Sequence, residues 1–170
     1  YVSGITGVVM SDVRDASGVS MRRLYTLYPS KRDLVAGWLT DRHEQWMAWF
    51  ATTVDRLVVD GVDPVLATFD AIGEWVGTPG YRGCAFINSL AETSELDDAH
   101  RRIIADHKRE LLHHLAHLVA RGRTDPPEWL PAALAVMIDG AIVQCTVFGD
   151  TGPLDAARTA VARLLDGAPA

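Results

Sequence analysis

The sequence predicts an all-α fold, a short N-terminal helix-turn-helix followed by a larger helical body. Three observations carry that expectation. Apolar residues recur at helical spacing through most of the chain. Nowhere do β-branched residues alternate with polar ones between hairpin turns. Gly, Pro and capping residues cut the chain into segments of helix length. With 170 residues, 48% of them hydrophobic, the chain is long enough to bury its own core.

Each element has a local reason. A first short helix is expected over residues 9–16, stopped at Ser17-Gly18, where Gly takes the left-handed conformation that ends a helix. Ser20 then caps a second helix over 21–27 by offering its hydroxyl to first-turn N–H groups, and Pro29 closes it. Ser30, with Asp33 three residues later, opens a long third helix to about residue 59. Leu34, Leu39, Trp46, Phe50 and Leu57 lie along it at mostly helical spacing. Asp63-Pro64 reads as a cap with Pro at the first helical position and starts a helix to about 76. Residues 77–83 are a loop by composition. Helices over 85–93, 98–121, 128–148 and 153–166 follow, the third of these after a turn at Asp125-Pro126-Pro127.

The apolar run from Leu130 to Phe148 is broken by Asp139 and Gln144, so it reads as a buried helix, not a membrane span. No secretion leader is expected: Tyr1 is not an initiator Met, and no charged region precedes a hydrophobic one. Cys84 and Cys145 stand in apolar company and suit buried thiols of a reducing compartment, which points to the cytoplasm.

Charge is unevenly distributed. The net charge is −6, yet residues 1–34 hold five basic and three acidic residues, a net +2, against −8 for the remainder. An anionic partner is therefore expected at the N-terminus. Two short helices around a Gly turn form the arrangement whose second helix enters the DNA major groove. That helix would present Ser20, Met21, Arg22 and Arg23, with Arg able to grip guanine in bidentate fashion. Tyr25, Thr26, Ser30 and Lys31 suit phosphate contacts, which position the helix without reading bases.

The run "SDVRDASGVSMRRLYTLYPSKRDLV", Ser11 to Val35, resembles the signature of the TetR/AcrR family of bacterial transcriptional regulators. Gly18, Val19, Ser20, Leu24, Tyr25, Tyr28, Ser30, Lys31 and Leu34 carry the likeness. Val8, Val9, Arg14 and Leu27 depart from the usual residues, and only the last part of the family's first helix would be present near Gly4. The resemblance implies a helix-turn-helix DNA-binding domain over 1–45 and a helical ligand-binding and dimerisation domain over 46–170. It further implies a homodimer formed through the last two helices, a palindromic double-stranded DNA operator, and a small-molecule effector whose entry releases the DNA.

The body holds candidate ligand residues. His107, Lys108 and His114 lie at the edge of, or within, the apolar stripe of the helix over 98–121 and can orient a mostly apolar ligand. Asp139 and Gln144 are the only strongly polar residues between Leu130 and Phe148, and a buried carboxylate needs a partner. The segment "YRGCAFINSLAE" resembles a Gly-Cys-apolar-apolar-Asn run of some family members, which turns Cys84 and Asn88 toward the pocket; Trp75 and Phe86 are further candidates. His113 and His117 have the spacing of a metal pair but project to the polar face with no third ligand nearby, so neither a metal nor a cofactor is expected. A nucleophile elbow, a phosphate-cradling Gly loop and a Cys pair at metal spacing are all missing, which argues against an enzyme. The competing class is an all-α dimeric small-molecule sensor or carrier without operator recognition.

Overall fold

The computed structural model describes residues 4–92 and 98–167. Among them the chain forms α1 (Gly4–Gly7), α2 (Met10–Ser17), α3 (Met21–Leu27), α4 (Lys31–Val59), α5 (Pro64–Val76), α6 (Ala85–Glu92), α7 (Asp98–Gly122), α8 (Leu130–Phe148) and α9 (Gly152–Gly167). No strand occurs among the described residues, so the all-α expectation holds. The end of the helix expected over 85–93 lies at Thr93, outside the described residues.

The chain divides into two compact units: Tyr1–Glu44 with Ala85–His107, and Gln45–Cys84 with Lys108–Ala170. Helices α4 and α7 each contribute residues to both. The first unit thus takes in α6 and the start of α7 as well as the N-terminal helices.

In the first unit, local chemistry sets the turn between α2 and α3. Gly18 has φ 69°, and its N–H donates to the Arg14 carbonyl at 2.9 Å, closing α2. The Asp12 carboxylate accepts the Val9 N–H at 3.0 Å at the other end. Ser20 sits in extended backbone and its Oγ accepts the Arg23 N–H at 3.3 Å, capping α3. Met10 and Leu24 are buried. Tyr28 at the end of α3 lies over Gly37 of α4, so close that a Cβ at Gly37 would meet Tyr28 Cε1 at 2.7 Å. Glycine there is a packing requirement. Ser30 and Asp33 bond reciprocally at the start of α4, the hydroxyl donating to the carboxylate at 2.7 Å and the Asp33 N–H to Ser30 Oγ at 3.2 Å.

In the second unit, Asp63 Oδ1 accepts the N–H groups of Val65 (2.8 Å) and Leu66 (3.2 Å), and Pro64 opens α5. Helix α5 buries Val65, Ala67, Phe69, Ala71 and Ile72, and packs against α8 and α9. Leu134, Ile138 and Ile142 of α8 and Leu154 and Val161 of α9 are buried as well. Arg158 of α9 grips Asp70 of α5 in a bidentate pair (2.5 and 3.0 Å) at the margin of this core.

Helix α8 differs from its expectation at its start. It starts at Leu130, not at 128, because Pro131 belongs in the first helical turn, where its missing N–H costs nothing. It is also covered on one face only: Val136, Val143, Val147 and Phe148 are exposed. By length and composition this helix alone, among those described, is apolar enough to cross a membrane, but Leu134, Ile138 and Ile142 are spent on the packing of its own unit.

Leu134 is fully buried. Leu134→Ala is expected to cost about 2–5 kcal/mol through lost transfer energy and the cavity left behind, read as a lower urea midpoint with an unchanged m-value.

Candidate functional site

Two surfaces collect the residues singled out in the sequence. The first is the outer side of α3 in the N-terminal unit. Leu24 turns inward, while Arg22, Arg23, Tyr25 and Thr26 are exposed and Met21 is half-buried. Among the described residues, neither Arg22 nor Arg23 has an ion-pair partner, so both guanidinium groups are available to an anion. Ser20 is exposed and already serves as the cap of α3. The Thr26 hydroxyl donates to the Arg22 carbonyl at 2.8 Å and keeps only its lone pairs for other partners. Half-buried Lys31 directs Nζ to the Thr6 carbonyl at 3.4 Å, and the Arg14 side chain is engaged by Asp15 at 2.7 Å. Arg22 and Arg23 are therefore the uncommitted cations of this surface, and Tyr25 stands with them one turn on.

The body candidates separate into two groups. In the first unit, Phe86 is buried with its ring stacked on His107 (centroids 3.7 Å apart, planes 15°). His107 Nδ1 meets His43 Nδ1 at 3.0 Å with the rings edge to face, so one imidazole donates where the other accepts. His100 Nε2 lies 3.0 Å from the Arg32 carbonyl at the start of α4. Asn88 of the same unit is half-buried. His43 has no signal in the sequence, because it sits in a charged stretch of α4 with its partner 64 residues away.

In the second unit, Lys108 Nζ of α7 pairs with Asp139 Oδ1 of α8 at 2.5 Å, and the Cys84 sulfur lies 3.9 Å from the same ammonium. The carboxylate on the otherwise apolar α8 is thereby satisfied by α7. Tyr81, absent from the sequence candidates, donates its hydroxyl to the Ile142 carbonyl at 2.9 Å. It also meets Thr146 Oγ1 at 3.1 Å, and Trp75 stands edge to face against its ring at 5.0 Å. Burial pushes the Tyr81 phenol above its ordinary value, the Thr146 hydrogen bond opposes this, and the nearby thiols Cys145 and Cys84 add to it. Trp75 continues through Trp46 (5.8 Å) and Phe50 (4.9 Å from Trp46) to His114 (5.5 Å from Phe50). The His114 Nε2 is buried without a hydrogen-bond partner among the described residues.

Gln144 does not join these groups. It lies five residues beyond Asp139, roughly 140° around the helix, and is exposed beside Val143 and Val147. His113 and His117 are exposed, and no cluster of three metal-ligating side chains occurs among the described residues.

No protein-family model matches the sequence, and no curated protein matches it. Solved structures do. The chain is similar to NemR of E. coli in its reduced form, with a TM-score of 0.82 at 20% identity over 95% of this chain and 88% of that one. It is similar to a TetR-family transcriptional regulator from Streptomyces coelicolor, with a TM-score of 0.79 at 22% identity over 95% and 85%. A TetR regulator from Chloroflexus aurantiacus matches with a TM-score of 0.77 at 21% identity over 97% and 87%. Identities this low establish the fold, and the fold is that of TetR-family regulators along nearly the whole chain.

Burial holds the His114 imidazole below its ordinary value of 6.5, helped by His117 and Arg121 and opposed by Asp55 and Glu110. Between the lowered and the ordinary value, the unfolded chain binds a proton that the folded chain refuses, so stability rises with pH there. The stability advantage of the wild type over His114→Gln is expected to shrink as pH falls from about 7.5 to about 5. Urea titrations at several pH values read it; an advantage independent of pH would contradict the assignment.

Proposed function

The chain's fold is the fold of TetR-family transcriptional regulators, and from that premise we propose that it is a DNA-binding transcriptional regulator. In this reading it is a cytoplasmic homodimer, a repressor that leaves a palindromic operator when a small molecule enters its body. The observation that carries the reading is the outer face of α3. A seven-residue helix is capped by Ser20 and anchored by buried Leu24, and it holds two exposed, unpaired arginines in its first turn on a chain that is otherwise acidic. Arg22 and Arg23 then address base edges, with Met21 beside them, while Tyr25, Thr26, Ser20 and Lys31 approach the phosphates.

The exposed face of α8 supports the dimer. Val136 (72% exposed), Val147 (72%) and Phe148 (64%) form an apolar strip that a second copy of α8 would cover. Two-fold symmetry then sets the recognition helices roughly 34–36 Å apart, one turn of B-DNA. Release requires only that the effector prefer the conformation whose spacing does not match the operator, since a ligand shifts an equilibrium by its differential affinity alone. The body candidates for effector contact are Trp75, Cys84, Lys108, His114 and Asp139 in the second unit, and Phe86, Asn88 and His107 in the first.

Selection from a pool of genomic fragments is expected to enrich a palindrome. Arg22→Ala/Arg23→Ala should weaken binding to it at least tenfold and flatten the salt dependence, since each bidentate base contact is worth about 1–3 kcal/mol. A folded dimer with no selective DNA binding in the presence or absence of candidate effectors would instead describe a sensor or carrier that does not read DNA.

A further inference from the structure

The open face of α8 carries one side chain that does not match its neighbours. At about 100° per residue, Val143, Val136, Val147, Gly140, Gln144 and Phe148 fall within an arc of roughly 140°, with Gly140 near its middle. All six are exposed, and Gln144 is the polar one among them. It stands inside the apolar strip, between Gly140 and Phe148. The middle of the strip has no side chain, and a Cβ built on Gly140 would meet nothing within 4 Å. A second helix can approach the α8 backbone most closely at that point. Helix α9 packs beside α8, and its exposed positions divide into an apolar flank of Ala156, Ala160 and Leu164 and a polar flank of Asp155, Thr159, Arg163 and Asp166.

These features suit a second copy of the same chain. The strip on α8 holds no charge, since Asp139 lies off it and is paired with Lys108, so the face does not repel itself. Its size is also sufficient. At 19 residues α8 is about 28 Å long, and with the apolar flank of α9 the panel is about 20 Å wide. Two such panels bury roughly 1,100 Å², above the roughly 1,000 Å² that a specific interface needs. Covering the strip takes the Gln144 amide out of water among valines, where it needs a hydrogen-bond partner. An amide is its own complement, because it carries donors and an acceptor together. The strip runs from Val136 to Phe148, and its midpoint lies two residues before Gln144, about 3 Å along the axis. Two-fold symmetry through that midpoint leaves the two Gln144 residues no more than about 6 Å apart along the helices, whichever way these run. Two glutamine side chains span such a gap.

We infer that Gln144 sets the register and the self-recognition of a homodimer formed on α8, its amide bonding to the Gln144 amide of the second copy across the two-fold axis. The inference rests on the dimer of the regulator reading and not on DNA. A slipped register, or a related chain with an apolar residue at this place, leaves the amide buried and unbonded. A single polar residue in an apolar seam fixes pairing in this way. The test uses the full chain with Gln144→Glu and Gln144→Lys, one of them carrying an affinity tag. Because Gln144 is exposed in the single chain, both variants are expected to fold, which a thermal melt checks. Sedimentation equilibrium should show each variant alone dimerising at least tenfold more weakly than the wild type, since like charges then meet at the axis. An equimolar mixture should recover the wild-type affinity to within about threefold, with the untagged chain retained by the tagged one. Variants that dimerise as tightly as the wild type, or weakened variants that the mixture does not rescue, overturn the inference and leave the dimer standing. A wild-type chain that stays monomeric at about 100 μM overturns the inference together with the dimer. Rescue in a protein that selects no DNA keeps Gln144 in this role and removes the regulator.

Discussion

A helix of seven or eight residues does not hold itself in water, since nucleation costs more than so few hydrogen bonds return. Everything that α2 and α3 present therefore depends on how their ends and inner faces are held. Ser20 supplies a partner for a first-turn N–H of α3, the Asp12 carboxylate holds the Val9 N–H just ahead of α2, and Gly18 supplies the left-handed residue that lets one helix stop and the next begin. Met10 and Leu24 bury the inner faces, and the Tyr28 ring lies against α4 because Gly37 has no side chain there. With the inner face committed, the outer one is free to be chemical. Arg22 and Arg23 are exposed and unpaired because nothing in the packing of α3 calls on them.

The first unit carries a second consequence of this economy. Its Phe86, His107 and His43 come from α6, α7 and α4, and stack and hydrogen-bond in one line. His100 adds a contact from α7 to the Arg32 carbonyl, at the helix that begins three residues after Tyr28. Helices that the sequence separates by fifty residues thus share a unit with the N-terminal helices. Phe86, His107 and His100 tie α6 and α7 to α4 within this unit.

The second unit solves the opposite problem. Helix α8 is so apolar that it needs cover, and α5 and α9 cover one face through Phe69, Ile72, Leu154 and Val161. The opposite strip, with Val136, Val147 and Phe148, is surplus to the folding of one chain. Asp139 is tolerated on such a helix because Lys108 reaches across from α7. The Cys84 sulfur lies 3.9 Å from the same ammonium.

What the sequence by itself determined is the set of helices and which side chains of α3 face outward. Those signals are local: Ser20 and Asp63 cap within three residues, Gly18 ends a helix by its own φ angle, and the inward or outward position of Leu24 against Arg22 follows from helical period. Where two local signals competed, the bounds shifted, as at α8, where Pro131 moved the first turn to Leu130. Only the tertiary structure decided the partners. Asp139 was recognisable as a carboxylate in need of one, but Lys108 is 31 residues away; His43 and His107 are 64 apart, and Tyr81 and Ile142 are 61 apart. Whether Gln144 accompanies Asp139 or turns to solvent likewise depended on which face of α8 its neighbours left open. Such pairings arise from the packing of whole helices, and packing depends on the summed shape of many side chains, which no short stretch of sequence contains.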